Sequence, residues 1–410
     1  MTPLFLYHYY IDSYLMNLRP HQIRAINAMW DNQKGQIIVP TGGGKTMCMI
    51  EDVSFTLEAK KRGQTIVVVA PRILLAEQLC EEFLEVIDTT HTHVMHVHSG
   101  KTSYYGTTKP EKIHLFANTA RTAGENCIIF TTYHSLHRLV EADIEVNNIY
   151  FDEAHNSVAK NFHVATKHFA QLNHIRCYFF TATPKWSLTP KKAGMNDVAV
   201  YGKVICQVPA PELVDGGYIL PPKVNVRQLP LSKDKNNWQR DADYLHQTIK
   251  EDKKDQVLVC ARTTKQIINV ITNTNFVSKL YDEGYSWLVI TSKTGALIDG
   301  NKVTREEFFN TLNAWGKDQT KKFVVLHHSI LSEGINVNGL QSVIFLRNMD
   351  YVGISQTVGR VIRLGGESKT YGLVTIPTYD NVGISTARKV QAVVDVIFNK
   401  GEAAISEITR

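Results

Sequence analysis

Short apolar runs punctuate the chain, and stretches with helical spacing lie between them. In the first half the runs fall at Gln36–Val39, Thr65–Ala70, Cys127–Thr131, Asn148–Phe151 and Arg176–Phe180. In the second half they fall at Gln256–Cys260, Trp287–Thr291, Phe323–Leu326, Ser342–Leu346 and Leu373–Ile376. Runs this short, rich in Val, Ile and Phe, suit strands covered by helices on both faces, which have no polar side to show water. Alternation with helices predicts mainly parallel α/β sheets, and the two groups of runs predict two domains. Tandem glycines and prolines in "GGYILPPKVNV" (Gly216 to Val226) break helix and strand alike, so the domains are expected at 1–222 and 223–410. The polar stretch Leu231 to Asp241 is expected to be a loop. Val390, Val393, Val394 and Ile397 share one helical face and predict a closing amphipathic helix.

Composition changes this picture little. The chain has 410 residues, 43% hydrophobic and 20% charged, which is ordinary for a globular protein. A formal charge of +6 (45 Lys and Arg against 39 Asp and Glu) gives mild support for a polyanionic partner. The six cysteines include no C-x-x-C pair and sit in or beside apolar runs, so reduced core thiols and a cytoplasmic setting are expected. No apolar run approaches the length of a membrane span, and the N-terminus lacks a secretory signature, so neither a membrane nor a leader is expected.

The strongest local chemistry is "IIVPTGGGKTMCMI". An apolar run stops at Pro40; Thr41, Gly42, Gly43 and Gly44 follow, then Lys45, Thr46 and a helix-compatible run. Strand, glycine loop and helix start make a phosphate cradle of backbone N–H groups at a helix N-terminus. Lys45 then reaches the β- and γ-phosphates and Thr46 ligates Mg²⁺. Val39 stands where the general motif has its first glycine. In "IYFDEAHNS" a buried run ends in two acids, which is costly unless they meet a cation or a cleft. Asp152 is placed to hold Mg²⁺ and Glu153 to polarise an attacking water as general base. In "SQTVGRVIRLG", Arg360 and Arg363 are three apart and share a face if helical. Alone, such a pair is either a solvated helix edge or an anion site.

Taken with Asp152-Glu153-Ala154-His155, these stretches resemble a superfamily 2 helicase with a DEAH signature, of the restriction-subunit-like and phage UvsW-like DNA helicase group. The resemblance runs over nearly the whole chain with the motifs in order. "LRPHQIRAI" resembles the adenine-recognition motif, with Gln22 as its glutamine. "VVVAPRILLAEQ", "FTTYHSL" and "TATP" resemble motif Ia, a strand-contact motif and motif III. "VLVCARTTKQ" and "LSEGINVNGLQSVIF" resemble motifs IV and V, and the arginine stretch resembles motif VI. The resemblance implies two tandem RecA-like domains with the ATP site in the cleft between them, and ATP and Mg²⁺ as ligands. It implies that Gln356, Arg360 and Arg363 face the γ-phosphate and that Glu333 and Gly334 line the nucleotide site. It also implies strand contacts at Pro71, Arg72, Thr132, Tyr133, Arg262, Thr263 and Ser332, of the kind that hold phosphates without reading sequence. Asn336 departs from the family's usual aspartate, which weakens a charged link between nucleotide and arginines.

The expected function is therefore an ATP-dependent helicase or translocase on DNA, in repair, recombination or replication, working as a monomer in a bacterial or phage-infected cell, or in a nucleus if eukaryotic. The alternatives are an RNA helicase, a restriction-like motor served by a separate nuclease, and a nucleotide-switched clamp or annealing protein. Four histidines in "HTHVMHVHSG" (His91, His93, His96, His98) have strand spacing but no acid or cysteine near in sequence, so a metal site is not expected there. Tyr7, Tyr9, Tyr10 and Tyr14 read as core residues.

Overall fold

The computed structural model describes residues 18–59, 63–189, 191–230, 235–291, 293–328, 339–346, 349–365, 369–379, 383–398 and 406–409. Tyr7, Tyr9, Tyr10, Tyr14, Ser332, Glu333, Gly334 and Asn336 lie outside them. The chain divides into two units at Val208/Pro209, with Thr41–Gly43 grouped with the second.

The first unit carries one sheet of eight strands: β1 (Lys34–Ile38), β2 (Thr65–Ala70), β3 (Thr92–Val97), β4 (Tyr105–Gly106), β5 (Asn126–Thr132), β6 (Asn148–Phe151), β7 (Arg176–Thr181) and β8 (Val204–Gln207). Their order is β4-β3-β5-β2-β6-β7-β1-β8, and every pairing is parallel. All six residues of β2 and all seven of β5 are buried, because helices cover both faces. Each buried Val or Ile there contributes roughly 1.5–3 kcal/mol of transfer free energy. All strands run the same way, so the loops that follow them gather at the sheet's C-terminal edge, where open α/β sheets bind ligands.

The second unit carries nine strands: β9 (Pro222–Gln228), β10 (Gln256–Cys260), β11 (Ser286–Thr291), β12 (Gly295–Ile298), β13 (Asn301–Val303), β14 (Phe323–His327), β15 (Ser342–Phe345), β16 (Gly372–Thr378) and β17 (Ser406–Thr409). Their order is β13-β12-β11-β14-β10-β15-β16-β9-β17, and among the described residues the antiparallel pairing is confined to β11–β12–β13. Pro222 opens β9, the position where a missing N–H costs least.

Each of the ten apolar runs lies on a strand, within two residues at either end. The closing helix spans Ile384–Phe398 and buries Val390, Val393 and Val394. All six cysteines are free and buried. Of the expected loop at Leu231 to Asp241, residues 231–234 lie outside the described residues, and the end is corrected: a helix spans Asn237–Asp252. Asn236 Oδ1 accepts from Gln239 N at 2.9 Å and Gln239 Oε1 accepts from Asn236 N at 3.3 Å. This reciprocal cap starts the helix in a polar stretch, and Ala242, Leu245 and Ile249 give it one buried face.

A polar network inside the first unit locks the helix after the glycine loop, Lys45–Ala59, to the sheet. Asp52 is fully buried. It accepts from Tyr150 Oη at 2.5 Å, Arg176 Nη2 at 2.9 Å and Trp30 Nε1 at 3.0 Å. Asn148 Nδ2 donates to Thr56 Oγ1 one turn further along. A buried charge removed from its partner leaves that partner uncompensated. Asp52→Ala is therefore expected to lower the unfolding free energy by about 3–5 kcal/mol. Urea unfolding measures this, and a loss near zero would show that the network is dispensable.

Candidate functional site

The glycine loop lies between β1 and the helix Lys45–Ala59. Gly42 (φ 86°) and Gly44 (φ 80°) take left-handed conformations that side chains disfavour. Gln22, buried in the helix Pro20–Asp31, holds the loop: its Nε2 donates to Gly44 O at 3.2 Å and its Oε1 accepts from Arg19 N at 2.9 Å. A Cβ on Gly44 would meet Gln22 Nε2, the movable end of a side chain, so it is the left-handed φ more than this contact that disfavours other residues here.

Lys45 opens the helix, and its Nζ lies 3.8 Å from Glu153 Oε1, with both side chains nearly buried. Asp152 and Glu153 follow β6 directly. Glu153 sits at φ 45°, ψ 52°, a left-handed conformation that costs a non-glycine residue energy and that clusters at functional sites. Burial, then the charge of Glu153, pushes the Asp152 carboxyl up to about 7, against the opposing pull of Lys45. His155 Nδ1 is 3.0 Å from Thr181 Oγ1 and 3.5 Å from Glu153 Oε2, joining the acid pair to the end of β7. Thr181 Oγ1 in turn accepts from Thr183 N at 3.1 Å.

These residues fit a hard cation. Glu153 Oε2 is a buried oxygen without a hydrogen-bond donor, and burial disfavours the ionised form of Asp152 beside it more than Lys45 restores it. Among the described residues no group of three His, Cys, Asp or Glu is placed to hold a metal by itself. That suits Mg²⁺, which takes one or two protein oxygens and fills its shell with phosphate and water.

The expected strand-contact residues do not behave alike. Arg72 is exposed at the start of the helix Ile73–Leu84, and Pro71, Thr132 and Tyr133 are buried. Tyr133 is 1% exposed, and its hydroxyl donates to the backbone oxygen of Asp152 at 2.8 Å. Within the second unit, Arg262 and Thr263 are exposed after β10. Thr263 Oγ1 accepts from Gln266 N at 3.0 Å and so caps the helix Thr264–Thr272.

Also within the second unit, Asp350 caps the helix Tyr351–Val361 by accepting from Gly353 N at 2.8 Å. This helix buries Gln356 and Arg360, and the Nε2 of Gln356 has no hydrogen-bond partner. Arg363 lies just past the helix end, half-buried, so the two arginines occupy its last turn and the residues beyond rather than one continuous face. Lys369 Nζ donates to the carbonyls of Arg363 (2.7 Å) and Leu340 (2.8 Å), and burial, then the Arg363 charge, pushes it down to about 8.

The four histidines separate by strand parity. His93 on β3 pairs with Glu125, an acid distant in sequence, and His91 Nδ1 is 4.0 Å from the same carboxylate. His96 and His98 are buried, Nδ1 to Nε2 at 2.9 Å. Burial, then the neighbouring His98, pushes His96 down to about 4. Sequence reasoning gave no role to Asp52, His155 or Lys369. The signal for Asp52 was an acid inside the mainly apolar run that follows the glycine loop.

Residues 15–186 match the family model described as "Type III restriction enzyme, res subunit". No curated protein matches the chain. Among solved structures, the chain is similar to an ATP-dependent Type ISP restriction-modification enzyme, LlaBIII, bound to DNA. The TM-score is 0.77 at 18% identity, over 96% of this chain and 31% of that one. It thus spans under a third of that enzyme. A fragment of a putative HsdR subunit of a type I restriction enzyme from Vibrio vulnificus YJ016 matches with TM-score 0.60 and 15% identity, over 95% of this chain and 67% of that one. S. cerevisiae Dbp5 bound to RNA and ADP BeF3 matches with TM-score 0.57 and 15% identity, over 96% and 94%. The two mainly parallel sheets flanked by helices are tandem RecA-like domains. The restriction-subunit family model thus falls on the first of the two sheets, over residues 15–186, and a second mainly parallel sheet follows it in the chain.

Proposed function

We propose that this chain hydrolyses ATP to move along or remodel nucleic acid, and that the nucleic acid is DNA, in repair, recombination or replication. The observation that carries the catalytic reading is Lys45 Nζ 3.8 Å from Glu153 Oε1, beside a buried Asp152, at the edge where the glycine loop emerges. DNA is favoured by the restriction-subunit family model over residues 15–186 and by a structural neighbour described as bound to DNA. RNA is the second reading, because the neighbour described as bound to RNA is covered over 94% of its length.

In this reading the backbone of Thr41–Gly44 and the Lys45 ammonium bind the phosphates, and Gln22 releases its bond to Gly44 to meet the base. Thr46 and Asp152 hold Mg²⁺, which supplies charge neutralisation on the transferring phosphoryl group. Glu153 accepts a proton from the attacking water. Arg360 and Arg363, with Gln356, stabilise the γ-phosphate charge from the second unit, and Glu333 and Gly334 line the nucleotide site. The exposed Arg72, Arg262 and Thr263, with Pro71, Thr132 and Ser332, position a strand through its phosphates.

Lys45→Ala is expected to cut turnover by a factor on the order of 10² or more. Glu153→Gln should retain nucleotide binding and lose about 10²–10⁴ in turnover. Arg360→Ala should lose roughly 10³ or more. A steady-state ATPase assay with a fluorescent nucleotide titration reads all three, and near-normal turnover in Lys45→Ala would remove the phosphate-loop assignment.

The raised Asp152 carboxyl sets a pH dependence. It is protonated below about 7 and must ionise to hold a cation. Apparent Mg²⁺ affinity and turnover at limiting Mg²⁺ should both rise from pH 6 to pH 8, and saturating Mg²⁺ should flatten the profile. A profile flat at limiting Mg²⁺ would separate Asp152 from the cation.

Hydrolysis measured without polymer and with single-stranded DNA, duplex DNA, a branched junction and RNA decides the substrate. Stimulation mainly by DNA supports the motor proposed, and a junction preference points to branch remodelling. RNA alone supports the second reading. Tight binding without stimulated turnover indicates a clamp.

A further inference from the structure

Tyr133 is the first residue past β5 and is buried, whereas its neighbour His134 is exposed. Its backbone amide donates to Ala70 O at 3.1 Å, directly ahead of Pro71 and Arg72. Its ring lies between Phe151, with centroids 6.1 Å apart, and Phe162, at 5.7 Å. Its hydroxyl donates to the backbone oxygen of Asp152 at 2.8 Å. One residue therefore joins the ends of β2, β5 and β6.

The oxygen it holds belongs to the peptide between Asp152 and Glu153. On the far side of that peptide Glu153 sits in its left-handed conformation. A peptide plane next to a strained residue is kept in place only by what surrounds it. Its orientation decides where the Glu153 carboxylate points. The hydroxyl is carried on a rigid ring one residue past β5, and the Tyr133 amide is bonded to Ala70 O at the end of β2, so a shift of the loops after β2 or β5 moves the hydroxyl with it.

We propose that Tyr133 is a positioning residue that couples the nucleic-acid-facing loops at Arg72 and Thr132–His134 to the general base. The hydroxyl sets the Asp152–Glu153 peptide according to whether a strand occupies those loops. This rests on the reading of the chain as a nucleic-acid-stimulated ATPase.

The test is Tyr133→Phe in the full chain, which removes the hydroxyl and keeps the ring. ATP turnover is measured with and without a saturating oligonucleotide of the polymer that stimulates the wild type best, alongside binding of the same oligonucleotide, labelled. The expected result is a fall of about tenfold in the ratio of stimulated to unstimulated turnover, the scale of one hydrogen bond, with oligonucleotide affinity little changed. Phe162→Leu, which loosens the same packing and keeps the hydroxyl, should retain the ratio. A preserved ratio in Tyr133→Phe, including one in which both rates fall together, overturns the coupling. So does a loss of oligonucleotide affinity that accounts for the lost stimulation, or an equal loss of the ratio in Phe162→Leu. A wild-type chain indifferent to every polymer would remove the underlying reading, and that result appears before any variant is made.

Discussion

Two carboxylates follow one buried strand, and they cannot both ionise cheaply side by side. This constraint organises the first unit. Burial and the charge of Glu153 push the Asp152 carboxyl up to about 7, and Lys45 is the cation that opposes them. The pair is tolerated only if the lysine stays at the strand end, so the helix that begins at Lys45 must be fixed against the sheet. Asp52, seven residues along, does this through Tyr150 on β6 and Arg176 on β7. The strand that ends in the acids and the helix that begins with the lysine are thus tied through one buried carboxylate.

The same logic accounts for the strain at Glu153. A left-handed glutamate persists because its surroundings hold it: Asn156 Nδ2 donates to its carbonyl at 2.9 Å, His155 approaches its carboxylate, and Tyr133 fixes the preceding peptide. These holds come from different elements. The start of the helix at Lys45, the acid pair and the loops after β2 and β5 are therefore connected even though they are far apart in sequence.

The second unit solves a related problem with opposite charge. Arg360 is buried in the last turn of its helix, where the dipole favours a cation. Arg363, beyond that turn, has its backbone carbonyl held by a lysine whose own charge is disfavoured by burial. Positive charge is concentrated at a helix end and stiffened by its neighbours, an arrangement suited to an anion.

The sequence by itself determined the sheet-and-helix alternation, because strands buried on both faces must be apolar throughout and all ten runs say so. It also marked the glycine loop ahead of Lys45 and the acid pair after β6 as places that call for a functional account. Three glycines ahead of a lysine, and two acids closing a buried apolar run, both cost free energy that a bound phosphate or cation offsets. What it left unread was set by contacts between distant residues. The helix from Asn237 starts on a polar cap inside a polar stretch, ahead of the buried face that Ala242, Leu245 and Ile249 give it. Tyr133 looked like a loop residue, yet it is buried, because whether a residue after a strand faces solvent or the neighbouring strand end depends on the sheet order. The histidines appeared to lack an acid until β5 ran beside β3 and brought Glu125 to His93. Local pattern fixes which residues are apolar, charged or free to turn. Only tertiary structure decides which of them meet, because strand order and helix docking are settled by packing across the whole sheet.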